Sequence, residues 1–114
     1  MKKENIVQKS KDFDRIIKKR NGKSNNYFII NKEENNENKT KFGITFSKNL
    51  GNAVTRNKLK RRIKNIIDQN NKIYEKNSTY IIIAKKDAIY LSYKQLEEEL
   101  INVFNKIKGD NNEK

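Results

Sequence analysis

The sequence predicts an α+β fold, a two-layer sandwich with three helices packed on a small central β-sheet. Three observations predict it. Short β-branched and aromatic runs recur in the first half and again near residue 80, helical apolar stripes lie before, between and after them, and polar tracts separate the two kinds of segment. The implied order is α-β-β-α-β-α, with room for an extra short strand before the second helix.

Each element has its own signal. Asp12 to Lys19 places Phe13, Ile16 and Ile17 at helical spacing. "YFII" at Tyr27 to Ile30 is a strand-like run, and "FGITFS" alternates Phe42, Ile44 and Phe46 with Gly43, Thr45 and Ser47, the period of a half-buried strand. "TYIIIA" at Thr79 to Ala84 is apolar without a break, which fits a central strand covered on both faces. Tyr93 to Ile107 carries Leu96, Leu100, Val103, Phe104 and Ile107 on one helical stripe. "NKEENNENKTK" at Asn31 to Lys41 has no apolar residue and reads as a solvated loop. Met1 to Asn5 reads as a fraying end, residues 1–108 as one domain and residues 109–114 as a disordered tail.

Composition narrows the function. With 27 Lys/Arg against 14 Asp/Glu in 114 residues, the formal charge is +13, a self-repulsion that a polyanion would relieve. Nucleic acid is the leading partner. The chain lacks both an apolar run near membrane-spanning length and a charged-then-apolar leader, so a cytoplasmic protein without a membrane partner is expected. It has no cysteine and no histidine, which removes disulfides, thiolate metal sites and the commonest general base.

The positive charge is concentrated in "GNAVTRNKLKRRIKNII", Gly51 to Ile67, which holds six Lys/Arg and no acid. On a helical wheel Leu59, Ile63, Ile66 and Ile67 share an arc of roughly 100°, a core stripe. Asn57, Lys60, Arg61 and Lys64 lie opposite, with Arg56, Lys58 and Arg62 towards the margins. Gly51 supplies a turn, and Asn52 is placed to cap the helix. An ordinary solvated helix mixes charges to gain i,i+4 pairs. Here Arg56, Lys60 and Lys64 repeat one sign at that spacing, at a cost of a few tenths of a kcal/mol per pair.

The run "FGITFSKNLGNAVTRNKLKRRIK" resembles the hallmark of the protein subunit of bacterial ribonuclease P, in which a basic helix follows a Ser-Lys strand end and a Gly-Asn-Ala-Val turn. "KSKDFDRIIKK" is similar to that family's first helix and "YIIIAKK" to its last strand, so the likeness spans roughly residues 9–108. The resemblance implies an endoribonuclease that removes the 5′ leader of precursor tRNA. In it the protein is accessory, and a large RNA holds the catalytic Mg²⁺. It assigns Asn52, Arg56, Asn57, Lys60, Arg61 and Lys64 to the catalytic RNA. It assigns Phe13, Ile17, Asn31, Thr45, Ser47, Lys48, Ala84 and Lys86 to a leader-binding cleft between the first helix and the sheet. It also implies a left-handed crossover around the basic helix, against the general rule.

This chain departs from the family pattern at four positions. Ile17 and Asn31 stand where aromatics are common, Asn49 stands where a lysine follows Ser-Lys, and Lys58 replaces the second arginine of an Arg-Asn-Arg triplet. Lysine keeps the charge and loses the planar fork. Phe13 has two readings, a base-stacking ring in the cleft or a core aromatic of the first helix.

Three other functions compete. A ribosomal-type RNA-binding protein without a role in tRNA processing would share charge and layout. A helix-turn-helix DNA binder would need a helix where "FGITFS" reads as a strand. A protein-only metal nuclease would need converging carboxylates, whereas Glu97, Glu98 and Glu99 spread over about 200° of one helix. No catalytic or metal-binding residue is therefore expected in the polypeptide.

Overall fold

Chain order in the computed structural model, which describes residues 1, 3–48 and 50–112, is α1 (Ser10–Lys18), β1 (Lys23–Ser24), β2 (Phe28–Glu34), β3 (Lys41–Phe46), α2 (Ala53–Gln69), β4 (Ser78–Ala84) and α3 (Tyr93–Asn112). Single turns of 3₁₀ helix occupy Lys3–Asn5 and Lys86–Tyr90. The sheet runs β1-β2-β4-β3, with β2 antiparallel and β3 parallel to the central β4. The extra short strand is β1, which pairs with β2 at the sheet edge.

Alternation along β4 divides the molecule. Tyr80, Ile82 and Ala84 face the larger core with Phe28, Ile30 and Phe42, under Leu59, Ile63 and Ile66 of α2 and Leu96, Leu100 and Val103 of α3. Ile81 turns to the other face, where Val7 and Ile16 close a smaller core with Phe13, Ile17 and Ile83 at its margin. Phe42 and Tyr80, paired in register, stack with ring centroids 5.7 Å apart, and Tyr74 and Phe104 meet their edges. Aromatic pairs of this kind add to area burial.

Chirality decides the hand of the β3-α2-β4 crossover. Seen from the α2/α3 side with β4 running upward, Ala84 points its side chain at the viewer, so in an L-peptide its carbonyl points right. That carbonyl accepts the N–H of Ser47, just past β3, at 2.9 Å. Thus β3 lies to the right of β4, and the chain crosses leftward in front of the sheet. The crossover is left-handed, one of the few per cent that break the usual rule.

Three boundaries differ from the sequence expectations. The polar tract at Asn31 to Lys41 is a strand for its first four residues, because Asn31, Lys32, Glu33 and Glu34 pair with Ile81, Tyr80, Thr79 and Ser78. The ladder to a central strand overrides poor strand propensity. Within the stretch read as a fraying end, Met1 and Asn5 are anchored: the Met1 ammonium pairs with Asp68 at 2.8 Å and Asn5 Nδ2 donates to the Thr40 carbonyl at 2.8 Å, while Ile6 bridges Phe42 and Lys2 lies outside the described residues. Finally, α3 continues to Asn112, into the segment read as a tail, while residues 113–114 lie outside the described residues.

Candidate nucleic-acid interface

Asn52 caps α2 as its side chain suggests, accepting the Thr55 N–H at 2.9 Å, and Gly51 takes φ +54° in the turn before it. Arg56 braces the same turn, donating from Nε to the Leu50 carbonyl at 3.0 Å and from Nη2 to the Gly51 carbonyl at 3.3 Å. Its remaining N–H groups stay available for a phosphate. Asn52, Arg56, Asn57 and Arg61 are exposed, and Lys60 and Lys64 half-exposed. Among the described residues, none of the six cations of α2 has a carboxylate partner within ion-pair distance. The helix therefore offers charge and donors without internal compensation.

The smaller face of the sheet holds the predicted cleft. Ile29, Ile83 and Thr45 lie level across β2, β4 and β3, each half-exposed beside the Phe13–Ile17 edge of α1. Ser47 follows on the same face as Thr45, half-exposed, with its Oγ buried and unpaired. Phe13 is half-buried against Ile81 and Val7, so one side packs and the other remains open. Ile17 has the same half-buried status. Lys48 and Lys86 are exposed, and the parallel register that pairs Phe46 with Ala84 sets both lysines two residues beyond the sheet at one end.

Two residues assigned to this cleft do not line it. Ala84 is fully buried on the opposite face, because it alternates with Ile83, and only Ile83 looks towards α1. Asn31 does face α1 but is 3 % exposed, its Oδ1 only 2.6 Å from where a Cβ on Gly22 would stand. Ile29 and Ile83 were missed. Their signal was the period-two alternation within "YFII" and "YIIIA", hidden because both faces are apolar.

The other end of this face is electrostatically closed. Glu33 receives Arg15 at 2.8 Å and Lys19 at 2.8 Å, and Arg15 also pairs with Asp12 at 2.8 Å. The Arg15 hydrogen bond holds the Glu33 carboxyl well down, at a pKa of about 2. Arg15 of α1 and Lys19 just past its end are thereby paired, whereas Lys48 and Lys86 at the opposite end have no carboxylate partner among the described residues.

The acidic triplet on α3 does not converge. Glu97 accepts from Asn70 at 3.1 Å, Glu99 accepts from Asn25 at 3.1 Å, and Glu98 is exposed. Among the described residues no three carboxylates are grouped to hold a metal ion, and no helix is long and apolar enough to cross a membrane. Asn49, one of the departures from the family pattern, lies outside the described residues.

The family model for ribonuclease P matches residues 1–108. The chain belongs to the ribonuclease P protein family. Among curated relatives, the ribonuclease P protein component of Streptococcus pneumoniae is 38 % identical over 103 residues, covering 90 % of this chain and 84 % of the relative. Among solved structures, an RNase P protein from Staphylococcus aureus superposes with TM-score 0.82 at 32 % identity, over 91 % of this chain and 95 % of that one. The RNase P protein of Thermotoga maritima gives 0.75 at 27 %, over 88 % and 94 %. Membership makes this chain a protein component of ribonuclease P, an endoribonuclease, and removes the ribosomal-type alternative.

Proposed function

We propose that the protein binds the RNase P RNA through the exposed cations of α2 and holds the 5′ leader of precursor tRNA along the open row of the sheet beside α1. One observation carries this reading most directly. Lys48 and Lys86 each follow by two residues the paired strand ends Phe46 and Ala84, where the chain leaves for α2, and among the described residues neither they nor the α2 cations have a carboxylate within ion-pair distance. A leader threaded there meets lysine at the mouth, then Thr45, Ser47 and the open side of Phe13. At the far end Arg15 and Lys19 are already paired with Glu33.

In this reading the catalytic Mg²⁺ ions belong to the RNA. The protein's contribution is charge neutralisation and positioning, worth most where Mg²⁺ is scarce. The test is cleavage of precursor tRNA by an RNase P RNA at low Mg²⁺, with and without the protein, beside binding of precursor and mature tRNA to the holoenzyme. Restored cleavage and a precursor preference that disappears with mature tRNA are the expected results. Failure to bind the RNase P RNA, or equal affinity for the two tRNAs, would overturn the corresponding half of the proposal.

A further inference from the structure

The cations of the basic helix span more than half of its circumference, with Arg61 at about 200° from Leu59, between two flanks. With Leu59 at zero and about 100° per residue, Arg56, Lys60 and Lys64 fall near 60°, 100° and 140°, whereas Lys58 and Arg62 fall near 260° and 300°. A single flat RNA surface against the first flank leaves the second without an anion. The second flank is not a plain surface. Between it and the 3₁₀ turn at Lys86–Tyr90 lies a groove of about 300 Å³ lined by Val54, Lys58, Arg62 and Ile89, floored by Leu59 and Ala88.

The walls of this groove combine two chemistries. Lys58 and Arg62 line it from α2, and no carboxylate lines it; Asp87, in the 3₁₀ turn, is not among its walls. Val54 lies on the same helix wall as these cations and is 76 % exposed, and Ile89 supplies apolar surface from the facing 3₁₀ turn. Tyr90, next in the chain after Ile89, is 75 % exposed, and these two are the large apolar residues most open to solvent among the described residues. Apolar and aromatic surface beside paired cations is what an unpaired nucleotide requires, with the phosphate on the cations and the base on the hydrophobic side. Duplex RNA would use the cations and leave the apolar wall idle.

We propose that this groove is a second RNA site, which takes one unpaired nucleotide of the RNase P RNA, its phosphate between Lys58 and Arg62 and its base over Val54, Ile89 and Tyr90. The inference rests on the proposed partnership with that RNA. At the low end of ligand-pocket volumes, the groove suits a single nucleotide rather than a longer segment.

The test titrates RNase P RNA with the wild-type protein, with Lys58→Gln/Arg62→Gln, and with Tyr90→Ala, across a salt series, with melting curves recorded alongside. All three replaced side chains are at least partly exposed, so melting should hold. The double variant is expected to lower the salt slope by about 0.7, the one single-strand phosphate that the two cations share. Tyr90→Ala should weaken binding at least about fivefold with the slope unchanged, the loss of one stacked base. If the wild-type protein fails to bind the RNA, the underlying partnership falls. If it binds and the double variant keeps its slope, the groove holds no phosphate. If the slope drops but Tyr90→Ala binds like wild type, the second flank meets a backbone only, and the nucleotide site is overturned.

Discussion

A Cβ placed on Gly43 would stand 2.7 Å from the ring of Phe13 and 2.7 Å from Ile81 Cδ1, so the first helix lies as close to β3 as it does because residue 43 has no side chain. The half-buried state of Phe13 follows. Gly43→Ala should cost about 1–3 kcal/mol as the ring is pushed outward. Chemical denaturation reads the loss, and precursor-tRNA affinity should fall with it as the cleft changes shape.

Phe13→Ala tests the two halves of that ring. Because only one side packs, destabilisation of about 1–3 kcal/mol is expected, less than the roughly 3–5 of a fully buried phenylalanine. Stacking adds a separate loss, about 1–3 kcal/mol in affinity for precursor tRNA and none for mature tRNA. Equal losses for both tRNAs, below the melting temperature of the variant, would leave Phe13 a packing residue alone.

Glu33 makes stability depend on acid. Its folded pKa, lowered from 4.5 to about 2 chiefly by the Arg15 hydrogen bond, means that its contribution is present above pH 4.5 and is lost as the pH falls from there through 2. Partial exposure and solvent screening keep the amount to about 1 kcal/mol or less. Glu33→Gln should flatten the melting-temperature profile between pH 4.5 and 2 and change it little below. An unaltered profile would show that the pairing with Arg15 and Lys19 does not persist in solution.

At the start of α2, Asn52→Ala removes the cap to Thr55 and should cost about 1 kcal/mol. Arg56→Ala should cost a similar amount by freeing the Leu50 and Gly51 carbonyls. Differential scanning calorimetry would register each as a drop of several degrees. Arg56→Ala should weaken RNA binding beyond what its stability loss explains, since its other donors face outward.

Lys60→Gln with Lys64→Gln probes the first flank of α2. Neither makes an ion pair among the described residues, so melting should stay within about 1 °C, or rise slightly as like-charge repulsion is relieved. The slope of log affinity against log salt for RNase P RNA should fall by roughly 0.7–0.9 per lost contact. Affinity falling at constant slope would mean that the two lysines act through shape and not charge.

Much of this protein is local and therefore legible in the chain. The helix stripes of Phe13–Ile16–Ile17 and Leu96–Leu100–Val103, the Asn52 cap, the Gly51 turn and the like-charged rows of α2 depend on neighbours within a few residues, and all stand where spacing places them. What remained hidden needed a partner from far along the chain. Asn31 to Glu34 look like loop and become strand only because β4 offers a ladder. Ala84 and Ile83 are both apolar neighbours in a doubly covered strand, so only the positions of α1 and α2 decide which of them opens to the cleft. Lys48 and Lys86 are 38 positions apart in the sequence and are brought to the same end of the sheet by the parallel pairing of Phe46 with Ala84. The neutralisation of Arg15 and Lys19 by Glu33, the accommodation of Phe13 by Gly43 and the left hand of the crossover are likewise tertiary facts. Local chemistry determines which segments form and how they are charged; three-dimensional packing decides which of those charges and surfaces remain free to meet RNA.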